Sequence, residues 1–579
     1  MRIYGTPPSG LVRAVDRGDR RVVFLGHVLA TERELRTAPI RELPGAYSCV
    51  IVTEDEVELH TDRAGQFPFH ISVRGHETLI AHHATLLAAL HSRTPDPLSA
   101  AIQITCPNVL ALTMGRSFFT DVGRYENAHH GPVLPLREAL TEAVSRRGPG
   151  VSADFSGGID STSLAFLAAA DGPVDAVVYH HEQLPAADLD AARRAAALTD
   201  RITLSVVTGD RETLPYQGID QAPAVPRLDL PAPGLRAHRS AAGLHANVPG
   251  GPAVPRLDLP APGLQAHRSA AGLDPNVPGL DWPAPGILAH RRAALRLDWA
   301  RRAGGRVHLT GEGADALFQP PPSYLATLVR HGDLRRWAGH SARLSRLRQA
   351  SALDLALRAA RLAATSHGRA LRVLARSLTR PPATTPPRPA DAVAWWNVPG
   401  ETAGWLTPRI RRDLADLAAD PATARGLPPG LTPARHATLA SLRSAAAAQR
   451  FLRTLGDHLG VRVHAPYLDD AVVGAVLDAR APIPDPSRAK PQLADALTGL
   501  VPEAVLTRRT KGAYQAEEYA GARAARRRIA ALLADSRLAD LGVVDPAAVS
   551  GTLTRLNAGA PVPLSALGRL VALEVWLRG

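Results

Sequence analysis

The chain has 579 residues, is 45% hydrophobic and only 4% aromatic, and carries a formal charge of +13. That length calls for at least two domains, and the apolar fraction is ample for packed cores. No apolar run reaches the roughly 18 residues of a membrane-spanning helix, and two cysteines, Cys49 and Cys106, exclude a disulfide framework.

The opening segment MRIYGTPPSG has no apolar signal-peptide core, so a cytoplasmic protein is expected. CxxC and HExxH spacings are missing from the sequence, which argues against structural zinc. The positive charge is arginine: of 67 basic residues only Lys490 and Lys511 are lysine. The arginines spread along amphipathic segments such as 328–375 and are not interleaved with aromatics. They read as solvated helix faces, not as a nucleic-acid surface.

In chain order, residues 1–130 read as strands and turns, among them VVFLGHVLA, GAYSCVIV and VELHTDRAGQFPFHISV. A second domain is expected over 131–579. It starts with a short strand, GVSADF, followed by SGGIDS (Ser156–Ser161) and an Ala-rich helix from Thr162. Such a turn aims backbone N–H groups and the positive helix end at one point, which suits an anion. Gly157 and Gly158 allow close approach, and Ser156 and Ser161 add hydroxyls. The carboxylate of Asp160 makes sense beside phosphate only with Mg²⁺ between them.

PVDAVVYHHE, which contains Tyr179, should be the second strand of this domain, and RITLSVV the third. A tandem repeat follows. Pro223–Gly250 and Pro252–Gly279 differ at three positions, and a shortened third copy occupies 280–295. Its proline and glycine density argues against a packed core, so 222–279 reads as a duplicated insert. VHLTGEGADALF (Val307–Phe318) is again strand, Gly-rich turn and helix start, with Gly311, Glu312 and Asp315 on the turn. Residues 328–380 read as helical and 380–390 as a Pro-rich linker. Trp395, Trp396 and Trp405 fit either a core or a substrate groove. HAPYLDD (His464–Asp470), Lys490 and TRRTKGAY, which contains Lys511, complete the motifs. A compact ammonium that guanidinium cannot replace would explain two lysines in an arginine-rich chain.

SGGIDS resembles the pyrophosphate loop of ATP pyrophosphatases. With GEGAD, HAPYLDD, Lys490 and Lys511 in this order, the chain resembles the asparagine synthetase superfamily. The resemblance implies an α/β ATP-pyrophosphatase synthetase domain (adenine nucleotide α-hydrolase-like) that makes an acyl-adenylate and joins it to an amine. Ser156, Gly157, Gly158, Asp160, Ser161, Tyr179 and Gly311 would bind ATP and pyrophosphate. Asp160 and Asp315 would share Mg²⁺, and Glu312, Lys490 and Lys511 would be catalytic. Residues 1–130, with DRAGQFPFHIS, resemble the glutaminase domain of that family, an α+β Ntn-type sandwich. Arg2 stands where the family's glutaminases have their nucleophilic cysteine, so no glutaminase activity is expected.

Two branches of the superfamily remain. β-Lactam synthetases replace the glutamate of GEG by tyrosine, whereas Glu312 is retained here. The DFSGGIDS loop, the PAPG segment and WLTPRIRRDLA look like actinobacterial lasso-peptide cyclases. That resemblance implies ATP-dependent closure of a macrolactam in a leaderless core peptide, with a leader-recognition protein and a leader protease as pathway partners. The competing readings are a β-lactam-type or other small-molecule amide ligase, a tRNA-modifying ATP pyrophosphatase, and an inactive peptide-binding scaffold.

Overall fold

Alternation builds the first sheet. In β2 (Arg20–Val28), Val22 and Phe24 point inward while Val23 and Leu25 are half-buried, the period of two that a one-sided strand requires. It pairs antiparallel with β1 (Val12–Arg17) and β3 (Gly45–Val52), and β4 (Val57–His60) closes the sheet in the order β1-β2-β3-β4. A short helix, Glu32–Thr37, starts on a Thr31/Glu34 capping box and buries Leu35 against Phe24, Tyr47 and Cys49. A second antiparallel sheet joins β5 (Phe69–Arg74), β6 (Glu77–Ala81) and β7 (Val122–Tyr125) in the order β6-β5-β7. It has its own small core of Ala84, Leu87 and Val122. The structure, a computed structural model, describes residues 10–128, 131, 133–182, 186–219, 282–381, 388–425, 427–478, 488–508 and 514–578.

The remainder centres on five parallel strands: β8 (Ser152–Asp154), β9 (Val174–His181), β10 (Ile202–Gly209), β11 (His308–Leu309) and β12 (Val463–His464). Their order is β10-β9-β8-β11-β12, so the chain moves outward from β8, then reverses to β11 on its other side. This is a doubly wound sheet, and β8 and β11 flank its switch point. Helices Leu136–Ser145, Ile159–Ala169 and Ala187–Ala196 pack on it with Leu140, Leu164 and Leu189 buried.

From Tyr324 onward helices dominate around a separate large core. Trp395, Trp396 and Trp405 are buried in it, with the indole N–H of Trp395 donating to the Thr365 carbonyl and that of Trp405 to the Thr552 hydroxyl. All three anchor the core. The repeat at 222–279 and part of the 380–390 linker lie outside the described residues, as do Arg2 and Lys511.

The N-terminal sheets dock on the parallel-sheet unit through two sequence motifs. The backbone N–H of Arg63 donates to Asp470 at 2.7 Å, and the Gln66 amide donates to the Leu468 carbonyl at 3.2 Å. DRAGQF thus meets HAPYLDD. Behind this contact Arg147 grips Asp469 with two bonds of 2.8 Å, both side chains almost fully buried. Burial lifts the Asp469 pKa above the usual carboxylate range, and the Arg147 cation restrains that rise. Arg147 also donates to His464 Nδ1 at 3.1 Å, and the His464 ring stacks on His27 at 3.6 Å. Arg147→Met should cost about 3–5 kcal/mol, because it strands a buried carboxylate. A lowered urea midpoint, largely restored by adding Asp469→Leu, is the expected result. An unchanged midpoint would mean that the pair is energetically idle.

Candidate active site

The turn after β8 is held open by a glycine and shut by two serines. Gly157 has φ +70°, and a Cβ there would stand 2.4 Å from the Ala192 nitrogen, so no larger residue fits. Ser161 Oγ accepts from Ser156 N at 3.2 Å and lies 3.2 Å from Ser156 Oγ, which accepts from Gly158 N at 3.3 Å. Both hydroxyls, assigned to phosphate by the sequence, here brace their own loop. Gly158 caps helix Ile159–Ala169 without a side-chain bond. The first turn of that helix therefore presents its N–H groups at the mouth of the switch-point crevice.

The turn after β11 presses against this loop. A Cβ on Gly311 would come within 3.0 Å of Ser161 N and 3.3 Å of Asp160 Cβ, so glycine is what lets the two turns approach. Glu312 follows, half-buried, and Asp315 lies in the first turn of the helix Ala314–Phe318.

Lys490 ties the two turns together. Its ammonium contacts the Asp160 carboxylate and lies 2.6 Å from Asp315 Oδ1. The lysine is 8% exposed, against 17% for Asp160 and 54% for Asp315. Its backbone has φ +43°, in the left-handed region, directly before Pro491. A β-carbon residue is disfavoured there, so the surrounding structure holds it in that conformation. The Tyr467 hydroxyl donates to the Asp160 carbonyl at 2.9 Å, which brings HAPYLDD to the same point.

Tyr179 lies on β9. Asp154 is in register with Val177, so Tyr179 stands level with Ser156 at the same end of the sheet. Its hydroxyl lies 3.1 Å from Thr213 Oγ1, and the Arg292 guanidinium sits over its ring at 5.1 Å. Burial raises its pKa. The structure thus brings together Ser156, Gly157, Gly158, Asp160, Ser161, Gly311, Glu312, Asp315 and Lys490, with Tyr179 on the next strand.

Two further contributors, Arg508 and Asp154, lie in the TRRTKGAY and DFSGGIDS segments, whose composition alone does not mark them out. Arg508 donates to the Ser156 carbonyl at 3.1 Å and to Asp188 at 2.5 Å, pinning the loop to the helix beside it. Its place three residues before Lys511 was the available signal. Asp154 binds Arg296 at 2.7 Å and His308 Nε2 at 3.3 Å, while His308 Nδ1 lies 3.0 Å from Ser152 Oγ. Burial alone would raise the Asp154 pKa, but Arg296 and then His308 outweigh it and hold it at about 2. This network locks β8 to β11 beneath the two turns.

The asparagine synthase family model matches residues 135–231 and 291–578. The chain belongs to the asparagine synthase family. Members are ATP-dependent amide-forming ligases, and Mg²⁺ is typical of them. No curated protein matches the chain. Among the described residues, no helix is long and apolar enough to cross a membrane.

The donor set fits a Mg²⁺ ion. Asp160 and Asp315 converge on a single cation, the Lys490 ammonium, so one positive charge already occupies the space between them. Mg²⁺ is commonly held by one or two carboxylates plus phosphate oxygens and water, so two suffice.

Proposed function

We propose that the chain is an ATP-dependent macrolactam synthetase acting on a leaderless peptide of the lasso type. It would adenylate an Asp or Glu side chain and join it to the peptide's own N-terminal amine. The observation that carries the ligase chemistry is the convergence of Asp160, Asp315 and Lys490 under an open helix N-terminus at the sheet's switch point. The peptide class rests on the DFSGGIDS, PAPG and WLTPRIRRDLA segments and on the retained Glu312. The family match passes over 232–290, which supports reading the repeat there as an insertion.

The Gly157 N–H and the N–H groups in the first turn of the following helix bind phosphate oxygens. Asp160 and Asp315 would hold Mg²⁺, which when bound offsets charge on the departing pyrophosphate. Lys490 fixes the spacing of the two carboxylates. Tyr179 and Arg292 form the wall for the adenine. Glu312 takes the proton from the attacking amine, which must be neutral to be a nucleophile. Lys511 would stabilise the phosphates and the new oxyanion. Holding both ends of the peptide replaces a bimolecular encounter by an intramolecular one.

Incubation with ATP, Mg²⁺ and a synthetic leaderless peptide tests the reading. AMP, pyrophosphate and a peptide lighter by one water and resistant to aminopeptidase are expected. ATP consumption that leaves the peptide's mass unchanged would refute it.

The N-terminal unit is proposed to be glutaminase-like in fold without that activity. Cys49 and Cys106 are both buried, and burial pushes each thiol up to about 12. Neither provides a thiolate at neutral pH. Purified protein should release no ammonia from glutamine. Release that disappears in Cys49→Ala or Cys106→Ala would overturn this.

A further inference from the structure

A cavity of about 440 Å³ lies between the N-terminal unit and the helices of the synthetase. That is within the usual range, about 300–1,000 Å³, for a pocket that takes a small ligand. Its walls come from both sides: helix Pro97–Thr105 and the 107–118 segment from one, and 282–289, helix Pro433–Leu459 and helix Leu564–Trp576 from the other. Apolar groups such as Ile102, Phe118, Leu288 and Leu564 line much of it.

Its charge is lopsided. Among the described residues that line it are five arginines, Arg116, Arg124, Arg443, Arg450 and Arg569, and one carboxylate, Glu518. Asp96 lies 3.7 Å from Arg116, and Glu126 lies 2.6 Å from Arg443 and 3.5 Å from Arg124. Arg450 stacks over the Trp282 ring at 3.8 Å. Arg569 donates to a neutral acceptor, the Ile104 carbonyl, at 3.1 Å. Burial pulls its pKa down to about 10, so an anion beside it would be stabilised.

The cavity also adjoins the candidate site. Glu518 neighbours Glu517, which binds Arg292 at 2.7 Å, and Arg292 covers Tyr179. On helix Pro433–Leu459, Ala447, Ala448 and Arg450 line the cavity, while Gln449 accepts from Thr310, the residue before Gly311, at 2.9 Å.

We propose that this cavity is a peptide-carboxylate pocket, in which Arg450 and Arg569 hold an acidic group of the substrate and the apolar walls hold its neighbours. Guanidinium and carboxylate match in shape and charge, and the mixed lining suits a peptide. The choice of a carboxylate-bearing peptide rests on the ligase reading above. The N-terminal unit thereby becomes a wall of the substrate site.

The test uses the full chain without nucleotide and three dansylated peptides read by fluorescence anisotropy. Dansyl-Gly-Leu-Phe carries a free C-terminal carboxylate, its amide carries none, and dansyl-Gly-Glu-Phe amide carries a side-chain carboxylate. At least one acidic probe should bind roughly tenfold or more tightly than the neutral amide, as for a charge-assisted hydrogen bond. The stronger of the two acidic probes identifies the source of the carboxylate. Arg569→Gln and Arg450→Met, which keeps a stem on Trp282, should each remove that preference. Equal binding of all three probes, or preference unchanged in both variants, would overturn the proposal. Competitive displacement by inorganic pyrophosphate would also overturn it, by assigning the cavity to phosphate. Pyrophosphate exchange on the same protein separates the two readings. Charge-dependent binding without exchange keeps the pocket and refutes the ligase. Exchange with charge-independent binding does the reverse.

Discussion

Asp160→Asn should lower peptide-dependent ATP–pyrophosphate exchange by roughly 10³-fold while the protein melts close to the parental temperature. The substitution is isosteric, and the Asp160 carbonyl still accepts from Tyr467, so the turn keeps its anchor. What disappears is one of the two negative charges that converge between the β8 and β11 turns. Removing one preorganised electrostatic group from a site of charge development typically costs about 10²–10³ in rate. Loss of a divalent-ion ligand puts the expected effect at the upper end. The cost in stability is limited, because the Lys490 ammonium keeps Asp315 as its charged partner at 2.6 Å when Asp160 loses its charge. Exchange at the parental rate would mean that Asp160 holds no metal. Collapse of the melting temperature would make it a structural residue.

Glu312→Gln should fail at a later step. Glutamine keeps the length and the hydrogen-bonding shape but cannot take a proton. Adenylate formation, read by pyrophosphate exchange, should persist within a few-fold, while ring closure should drop by about 10²–10⁴, the usual contribution of a general base. Adenylate or its hydrolysis product should accumulate. If exchange and ring closure fall together, Glu312 acts before the amine arrives and its proposed role is wrong. Glu312 is half-buried and directly follows Gly311, whose backbone meets Asp160 and Ser161.

The two turns were legible in the sequence because their chemistry is local. SGGIDS and GEGAD each follow a short apolar strand, and parallel-sheet topology brings such ends together. Lysine scarcity singled out Lys490, although nothing local showed that its ammonium would stand between Asp160 and Asp315. Long-range ion pairs were not legible. Arg147 and Asp469 are 322 positions apart, and Arg508 and Asp188 320 apart. One arginine among many carries no sign of its partner, since the fold selects it. The bonds by which the Ser156 and Ser161 hydroxyls brace their own loop were not legible, because a turn's internal hydrogen bonds depend on its backbone path, which composition does not show. The tryptophans left two readings open for a related reason. An amphipathic indole suits a groove as well as a core, and burial by distant helices decides between them.

ATP–pyrophosphate exchange with a leaderless peptide that carries one acidic side chain addresses the central claim most directly. The account predicts Mg²⁺-dependent exchange that needs the peptide's carboxylate and disappears when the acidic residue is replaced by its amide counterpart. Exchange that proceeds equally with the amide peptide, or no exchange at all from a folded protein with ATP and Mg²⁺ present, would contradict it.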